Sequence, residues 1–176
     1  MKLKLYLLTI FVALFSIKPP SAYASYVLPY PSFMPGNKMY KVTRLTDRLK
    51  QYWYRGNISA FKYHLSLSDK YLVEAKTLFE YQQYLLAQDA LSRSDTEFFS
   101  VPKFLHDATA EGKDTHVLTQ TYHDAAIAHE KVLQRLLSDM PKDVTWSPEH
   151  ALPTHLAITD MIATSLKIRT SSIQDL

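Results

Sequence analysis

The chain has 176 residues, no cysteine, three glycines and nearly balanced charge, with 20 Lys and Arg against 17 Asp and Glu. The absence of cysteine excludes disulfides, thiolate catalysis, Cys-ligated metals and attachment through a lipid-bearing cysteine. A chain of this length can bury one ordinary core without disulfides. Little glycine and abundant Leu, Ala, Lys and Tyr favour a mostly helical protein.

Residues 1–24 have the organisation of a secretory signal peptide. A cationic start is followed by an apolar run from Leu5 to Ile17, and residues 22–24 form a small-x-small cleavage triplet. The apolar run is shorter than the roughly 20 residues that a membrane-spanning helix needs. We therefore expect cleavage after this triplet, export to the cell envelope or the extracellular space, and no integral membrane span in the mature chain. The alternative is that the uncleaved segment retains the protein at the membrane.

Positive charge is concentrated near the start of the expected mature chain. Residues 25–62 contain seven Lys and Arg but a single acidic residue, Asp47, whereas residues 63–176 have an acidic excess. A basic first helix packed beside more acidic helices is the simpler explanation. The alternative is a basic patch that contacts anionic lipid or wall polymer. Because the protein is expected outside the cytosol, nucleic acid is not an expected partner.

The mature chain is predicted to start with an extended lead-in and to continue as one helical domain over residues 37–170. Three prolines disfavour helix in residues 25–36. Helix one is predicted from Asn37, a favourable N-cap, to Tyr54. Its spacing places apolar side chains on one face and cations on another. The apolar face holds Val42, Leu45, Leu49 and Tyr52, and the cationic face holds Lys41, Arg44, Arg48 and Arg55.

Helix two carries the most regular pattern of the chain, and we expect Asn57 or Ser59 to cap it. Apolar and small residues recur at alternating steps of four and three, which is typical of a seam packed against a partner helix. The seam consists of Phe61, Leu65, Ser68, Leu72, Ala75 and Phe79.

The remaining sequence predicts further helices that are separated mainly by prolines. Pro102 is expected to kink or interrupt helix three, and Pro141 to end helix four. A helix N-cap is predicted at residues 147–149, with a restart near Thr154, and residues 171–176 are expected to fray. No strand pattern competes with these helices. The predicted fold is therefore all-α, an antiparallel bundle of four to five helices.

Seven histidines suggest a metal-binding alternative. Two of them, His116 and His123, are two helical turns apart, roughly 10 Å along the axis, which is too far to share an ion easily. The His pair at i, i+4 and the Glu-x-x-His spacing of metal-binding helices are both absent. A site assembled from several helices by His106, His116, His123 and His150 remains the alternative. No cofactor is expected.

The sequence also lacks the local motifs of common catalytic sites. It contains no Gly-x-Ser-x-Gly nucleophile turn and no glycine-rich phosphate loop. The many acidic residues have no spacing that singles out a catalytic pair. We therefore expect a protein that is not an enzyme.

Aromatic residues form the last notable pattern, because the chain has 12 tyrosines. The simpler interpretation is packing at the boundary of the core, where the ring is buried and the hydroxyl stays wet. The alternative is an exposed aromatic and basic surface that binds a partner. The candidate binding patch consists of Lys41, Arg44, Arg48, Tyr52, Trp53, Tyr54 and Arg55.

The first two predicted helices and the segment before them resemble one bacterial family. The resemblance is carried by LPYP at residues 28–31, MPGNKMY at 34–40, RLTDR at 44–48 and HLSLSDKYLVEA at 64–75. These stretches, within about residues 27–95, resemble the secreted or membrane-attached helical proteins classed as domain of unknown function 5667. The chain departs from the family pattern at Thr43, where Lys is usual. The resemblance implies an envelope-facing helical module and no catalytic residues.

The expected function is a non-enzymatic binding or structural module that contacts an envelope protein or an anionic envelope surface. A periplasmic metal-binding bundle that uses the histidines named above is the second hypothesis. A hydrolase with a dispersed site is the third, and it predicts a deep polar cleft.

Overall fold

The structure, a computed structural model, describes residues 26–150 and 152–174. The predicted signal peptide, residues 1–24, lies outside the described residues. The described chain is mostly helical, as predicted, with one small hairpin. Its elements are α1 (Lys38–Lys50), α2 (Asn57–Glu80), α3 (Tyr84–Ala110), α4 (His116–Asp139), β1 (Asp143–Trp146), β2 (Thr154–Ala157) and α5 (Ile158–Gln174).

Four of the helices form a closed bundle in which each helix contacts two neighbours. α2 packs against α3 and α4, and α5 packs against the same two helices. A turn at residues 81–83 joins α2 to α3, with Gln82 at a positive φ of 59°, so that these two helices run antiparallel. α4 and α5 also run antiparallel, and the hairpin connects them. We call α2–α5 together with the hairpin the core bundle.

The predicted seam of α2 faces the inside of the core bundle, which confirms that prediction. All six seam residues are at most 4% exposed. Five of them contribute to two apolar clusters, one that includes Leu72 and Leu133 and another that includes Phe61, Phe98 and Tyr122. Ser68 lies between the two clusters along α2, at the level of a buried polar network that is described below.

Pro102 does not interrupt α3, which continues through it to Ala110. A proline within a helix lacks the N–H that would bond to the carbonyl four residues earlier, which here is the carbonyl of Phe98. The hydroxyl of Tyr122 on α4 approaches this carbonyl oxygen at 3.5 Å. A neighbouring helix thus offers a donor to the carbonyl that Pro102 leaves without one, and of the two predicted effects, a kink or an interruption, the interruption does not occur.

The segment after α4 forms a β-hairpin rather than the predicted helical turn. β1 and β2 pair antiparallel, from Asp143 opposite Ala157 to Trp146 opposite Thr154. Val, Thr and Trp in β1 favour extended backbone. The chain therefore does not restart as helix at Thr154, and α5 begins at Ile158. The strands also serve the core, because Leu156 is buried in one of the apolar clusters.

Helix ends also differ in part from the predictions. Asn37 caps α1, because its side-chain oxygen accepts the backbone N–H of Met39 at 2.9 Å. The N-cap of α2 is Gly56, which adopts its φ of 85° without strain. No side chain caps this helix, so the prediction that Asn57 or Ser59 caps it was wrong. α5 is helical as far as Gln174, beyond the expected end at residue 170, and the hydroxyl of Ser172 donates to Ile168 within it.

Candidate functional site

α1 is bound to the core bundle through polar rather than apolar side chains. Asp47 is the buried residue of this helix. Its carboxylate pairs with Lys70 of α2, and its backbone carbonyl accepts the hydroxyl of Tyr63. A carboxylate that leaves water in this way needs a cation and hydrogen bonds to compensate. These contacts therefore fix which side of α1 faces the bundle.

A second polar contact holds the start of α1. The hydroxyl of Tyr40 donates to Glu74 Oε1 at 2.7 Å, and Arg93 of α3 donates to the same oxygen at 3.1 Å. Arg93 also pairs with Asp89 at 2.9 Å. Burial raises the pKa of Tyr40 and of Glu74 above their ordinary values. The Tyr40 hydroxyl consequently stays protonated and acts as a donor near neutral pH.

Two guanidinium groups contact the ring of Tyr71 beneath α1. The guanidinium carbon of Arg44 lies 5.7 Å from the ring centroid, and that of Arg93 lies 5.1 Å from it. Both distances fall within the range of cation–π interaction. Arg44 and Arg93 are thereby held next to each other, although both carry positive charge. Their Nη1 and Nε atoms, respectively, are buried and have no hydrogen-bond partner among the described residues.

The apolar face of α1 points away from the core bundle. Met39, Val42, Leu45 and Leu49 are between 45% and 58% exposed, and we call these four residues the outer stripe. They lie roughly opposite Tyr40 and Asp47 on the helix, given about 100° of rotation per residue. The sequence placed most of these residues on one face, but it did not reveal that the face is turned to solvent.

A pocket of about 360 Å³ lies between α1 and α3. Four cations line it, and its single acidic lining residue is Asp89, which is paired with Arg93. Leu45 and Leu86 supply an apolar part of the wall. We call this the cationic pocket, and its four cations are Lys41, Arg44, Arg48 and Arg93.

The structure brings together only part of the predicted binding patch. Lys41, Arg44 and Arg48 line the cationic pocket. The fourth cation of this pocket, Arg93, was not part of the predicted patch. The rest of the patch follows α1 and does not line this pocket. Tyr54 stacks on Tyr63 with ring centroids 5.1 Å apart. All four residues of this segment, Tyr52, Trp53, Tyr54 and Arg55, are exposed.

The four histidines of the metal-binding alternative do not assemble into a site. His106, His116 and His150 are exposed, and His123 is half-buried on α4. Within residues 26–150 and 152–174, no group of three or more His, Asp or Glu side chains is placed to hold a metal ion. The spacing along the chain did not favour such a site either.

A buried polar network crosses the core bundle at the level of Ser68. Neutral His129 donates from Nε2 to Asp69 Oδ1 at 2.8 Å, and Arg169 Nε lies 3.5 Å from His129 Nδ1. Arg169 pairs with Asp95, whose other oxygen accepts the hydroxyl of Ser165 at 2.6 Å. Burial lowers the pKa of His129, and the hydrogen bond to Asp69 opposes that shift.

Two further contacts extend the network to other parts of the chain. The side chains of Ser68 and Ser94 each donate to the other residue's carbonyl at 2.9 Å. Tyr26, in the lead-in, donates its hydroxyl to Asp69 at 2.6 Å. The network therefore connects all four bundle helices with the lead-in.

This network contains an acid, a histidine and serines, the residue types of some catalytic sites, but its geometry indicates a structural role. His129 and Arg169 are fully buried, and both ring nitrogens of His129 face protein partners. A general base needs a reacting proton within hydrogen-bond reach, and here protein groups take those positions. Sequence reasoning missed Arg169, because an arginine in a terminal helix gives no local sign of burial.

Comparison with known proteins gave no match, whether to family models, to curated proteins or to solved structures. The resemblance to domain of unknown function 5667 consequently stays a prediction. Among the helices of the described residues, none combines the length and the hydropathy required to cross a membrane.

Proposed function

We propose that this protein is an exported, non-enzymatic binding module of the cell envelope, which docks on an anionic lipid surface through α1. The observation that carries the proposal is the orientation of α1, whose polar side contacts the core bundle and whose outer stripe faces solvent. An amphipathic helix with an exposed apolar face and basic flanks is suited to the interface of a membrane.

The outer stripe supplies the apolar part of such a contact. Val42, Leu45 and Leu49 lie on consecutive turns, and the exposed Trp53 follows the helix. Each buried methylene contributes roughly 0.8 kcal/mol to lipid binding. Tryptophan is favoured at the level of the head groups because its ring is apolar and its N–H is polar.

Basic residues beside the stripe supply the electrostatic part. Lys38, Lys41, Arg48, Lys50 and Arg55 are exposed on α1 or just after it. The acidic residue of this region, Asp47, is already buried against Lys70. Each Lys or Arg near an anionic leaflet contributes about 1 kcal/mol. This charge also distinguishes lipid from a second copy of the chain, since two such helices would repel each other across a symmetric contact.

Binding to lipid vesicles tests the proposal with the chain that begins at Ser25, which contains every described residue. The chain has two tryptophans, so that Trp146→Phe leaves Trp53 as the only one. We expect the emission of Trp53 to shift to the blue with vesicles that contain phosphatidylglycerol, and not with pure phosphatidylcholine. The shift should weaken as salt increases, because exposed charges are screened.

A matched pair of variants separates the stripe from general hydrophobicity. In the first, Val42, Leu45 and Leu49 all become Gln. In the control, Phe99 and Val117 become Gln; both are apolar, exposed and outside α1. We expect only the first variant to lose vesicle binding. Equal binding by both variants, or a salt-dependent dimer without vesicle binding in sedimentation, would contradict docking through α1.

A further inference from the structure

We propose that the cationic pocket is a binding site for a phosphate ester. The site adjoins the outer stripe at Leu45, but it does not require that α1 reach a lipid surface. The sequence pattern indicated three of its four cations but not Arg93, which comes from a different helix.

Charge is the first observation that favours phosphate. Arg93 is compensated by Glu74 and Asp89. Lys41, Arg44 and Arg48 form no salt bridge with a carboxylate of the described chain, so that four cations against these two carboxylates leave an excess of two positive charges. A phosphate monoester carries close to two negative charges near neutral pH, which matches this excess better than a single carboxylate does.

The donor geometry is the second observation. Three of the four cations are arginines, whose planar guanidinium groups bind phosphate oxygens in a bidentate manner. Arg44 Nη1 and Arg93 Nε are buried and lack a hydrogen-bond partner in the part of the chain that the structure describes. Buried donors are normally paired, so these two arginines retain unused hydrogen-bonding capacity at the wall of the pocket.

Preorganisation is the third observation. The contacts to Tyr71 hold Arg44 and Arg93 in place before any ligand arrives, which reduces the entropy lost on binding. The pocket volume of about 360 Å³ is within the range of small-molecule sites, which begin at roughly 300 Å³.

The apolar wall predicts an organic group on the ligand. Leu45 and Leu86 line the same pocket as the four cations. An ester with a short hydrocarbon group would place its phosphate among the cations and its hydrocarbon against these leucines. Such an ester is either a soluble metabolite or the head group of a phospholipid, and both present the same chemistry to the pocket.

Calorimetric titration at constant ionic strength, with the chain that begins at Ser25, tests the site. The probes are inorganic phosphate, dihexanoyl phosphatidic acid below its micelle concentration, and dihexanoyl phosphatidylcholine. We expect saturable binding of the first two and none of the third. Tighter binding of phosphatidic acid that is lost in Leu86→Ser indicates a lipid source, and equal binding of both phosphates indicates a soluble one.

Two double variants distinguish the pocket from general attraction of anions. Lys41→Gln with Arg48→Gln removes two exposed cations that line the pocket, whereas Lys38→Gln with Lys50→Gln removes two that do not. We expect the first variant to raise the Kd for phosphate by at least about tenfold, and the second by less than about twofold. Thermal melting should show that both variants are folded, because all four side chains are exposed.

Equal weakening in the two variants, or the absence of saturable binding of either phosphate probe by the unmodified chain, would overturn the site. If the unmodified chain does not bind vesicles, the outcome of the phosphate titration is not affected. Both double variants should reduce vesicle binding to a similar extent, because each lowers the charge of α1 by two. The two proposals can therefore fail independently.

Discussion

α1 and α2 have apolar faces of similar regularity, but only the face of α2 is turned toward the core bundle. In α2 the seam residues are buried inside the core bundle, whereas in α1 the outer stripe is exposed. The difference arises from the polar side chains. α1 contacts the bundle through Tyr40 and Asp47, whose partners Glu74 and Lys70 lie on α2. Periodicity thus identifies the residues that share a face, and the polar contacts determine which face is buried.

The largest expected difference between the two helices is in the stability lost when a leucine is replaced by alanine. Leu72→Ala should lower the free energy of unfolding by about 2–5 kcal/mol, because Leu72 is fully buried and its loss leaves a cavity. Leu45→Ala is the matched control on α1 and should change it by less than about 0.5 kcal/mol. Urea denaturation followed by circular dichroism measures both. Similar losses in the two variants would mean that α1 is packed as tightly as α2.

An intermediate effect is expected on the stability of the core bundle when the pH is lowered. The pKa of His129 is lowered in the folded state, so that the unfolded chain binds a proton more readily below about pH 6.5. Stability from this group is therefore complete above that pH and is lost as pH falls below it. The slope is at most about 1.4 kcal/mol per pH unit.

Urea denaturation at a series of pH values, for the unmodified chain and for His129→Gln, measures this dependence. The unmodified chain should lose stability more steeply between about pH 6.5 and 5 than the variant. His106→Gln is the control, because His106 is exposed, and it should keep the original slope. An unchanged slope in His129→Gln would show that other groups dominate.

The smallest expected effect concerns the contact that holds α1. Tyr40→Phe removes the hydrogen bond to Glu74 without a change of shape, and it should cost about 1–2 kcal/mol. Because α1 is attached through few contacts, we expect faster amide hydrogen exchange in α1 with little change in α2. Tyr30→Phe is the control, since Tyr30 is 94% exposed. Faster exchange throughout α2 would show that the two helices unfold together.

The helical fold could be predicted from sequence because its main determinants are local. The seam of α2 and the cap at Asn37 each depend on residues that are close in the chain, and the structure confirms both. The sequence did not decide whether Pro102 kinks or interrupts α3, since the continuity of this helix involves Tyr122 of another helix. The hairpin was missed because strands of four residues leave only a weak alternation of apolar and polar positions.

The candidate site was predictable only in part for the same reason. Lys41, Arg44 and Arg48 follow one another along a single helix and were selected by their spacing. Arg93 lies 49 positions beyond Arg44, and only the folded chain brings it to Tyr71. The orientation of the outer stripe likewise depends on Lys70 and Glu74, whose partners cannot be recognised without the three-dimensional arrangement.

The reciprocal contact of Ser68 and Ser94 has a consequence for the order in which the protein folds. These residues are 26 positions apart, whereas Ser165 meets Asp95 across 70 positions. Closure of a shorter loop loses less chain entropy, and local contacts generally form faster. The antiparallel pair of α2 and α3 should therefore form early, and α5 should dock on it late.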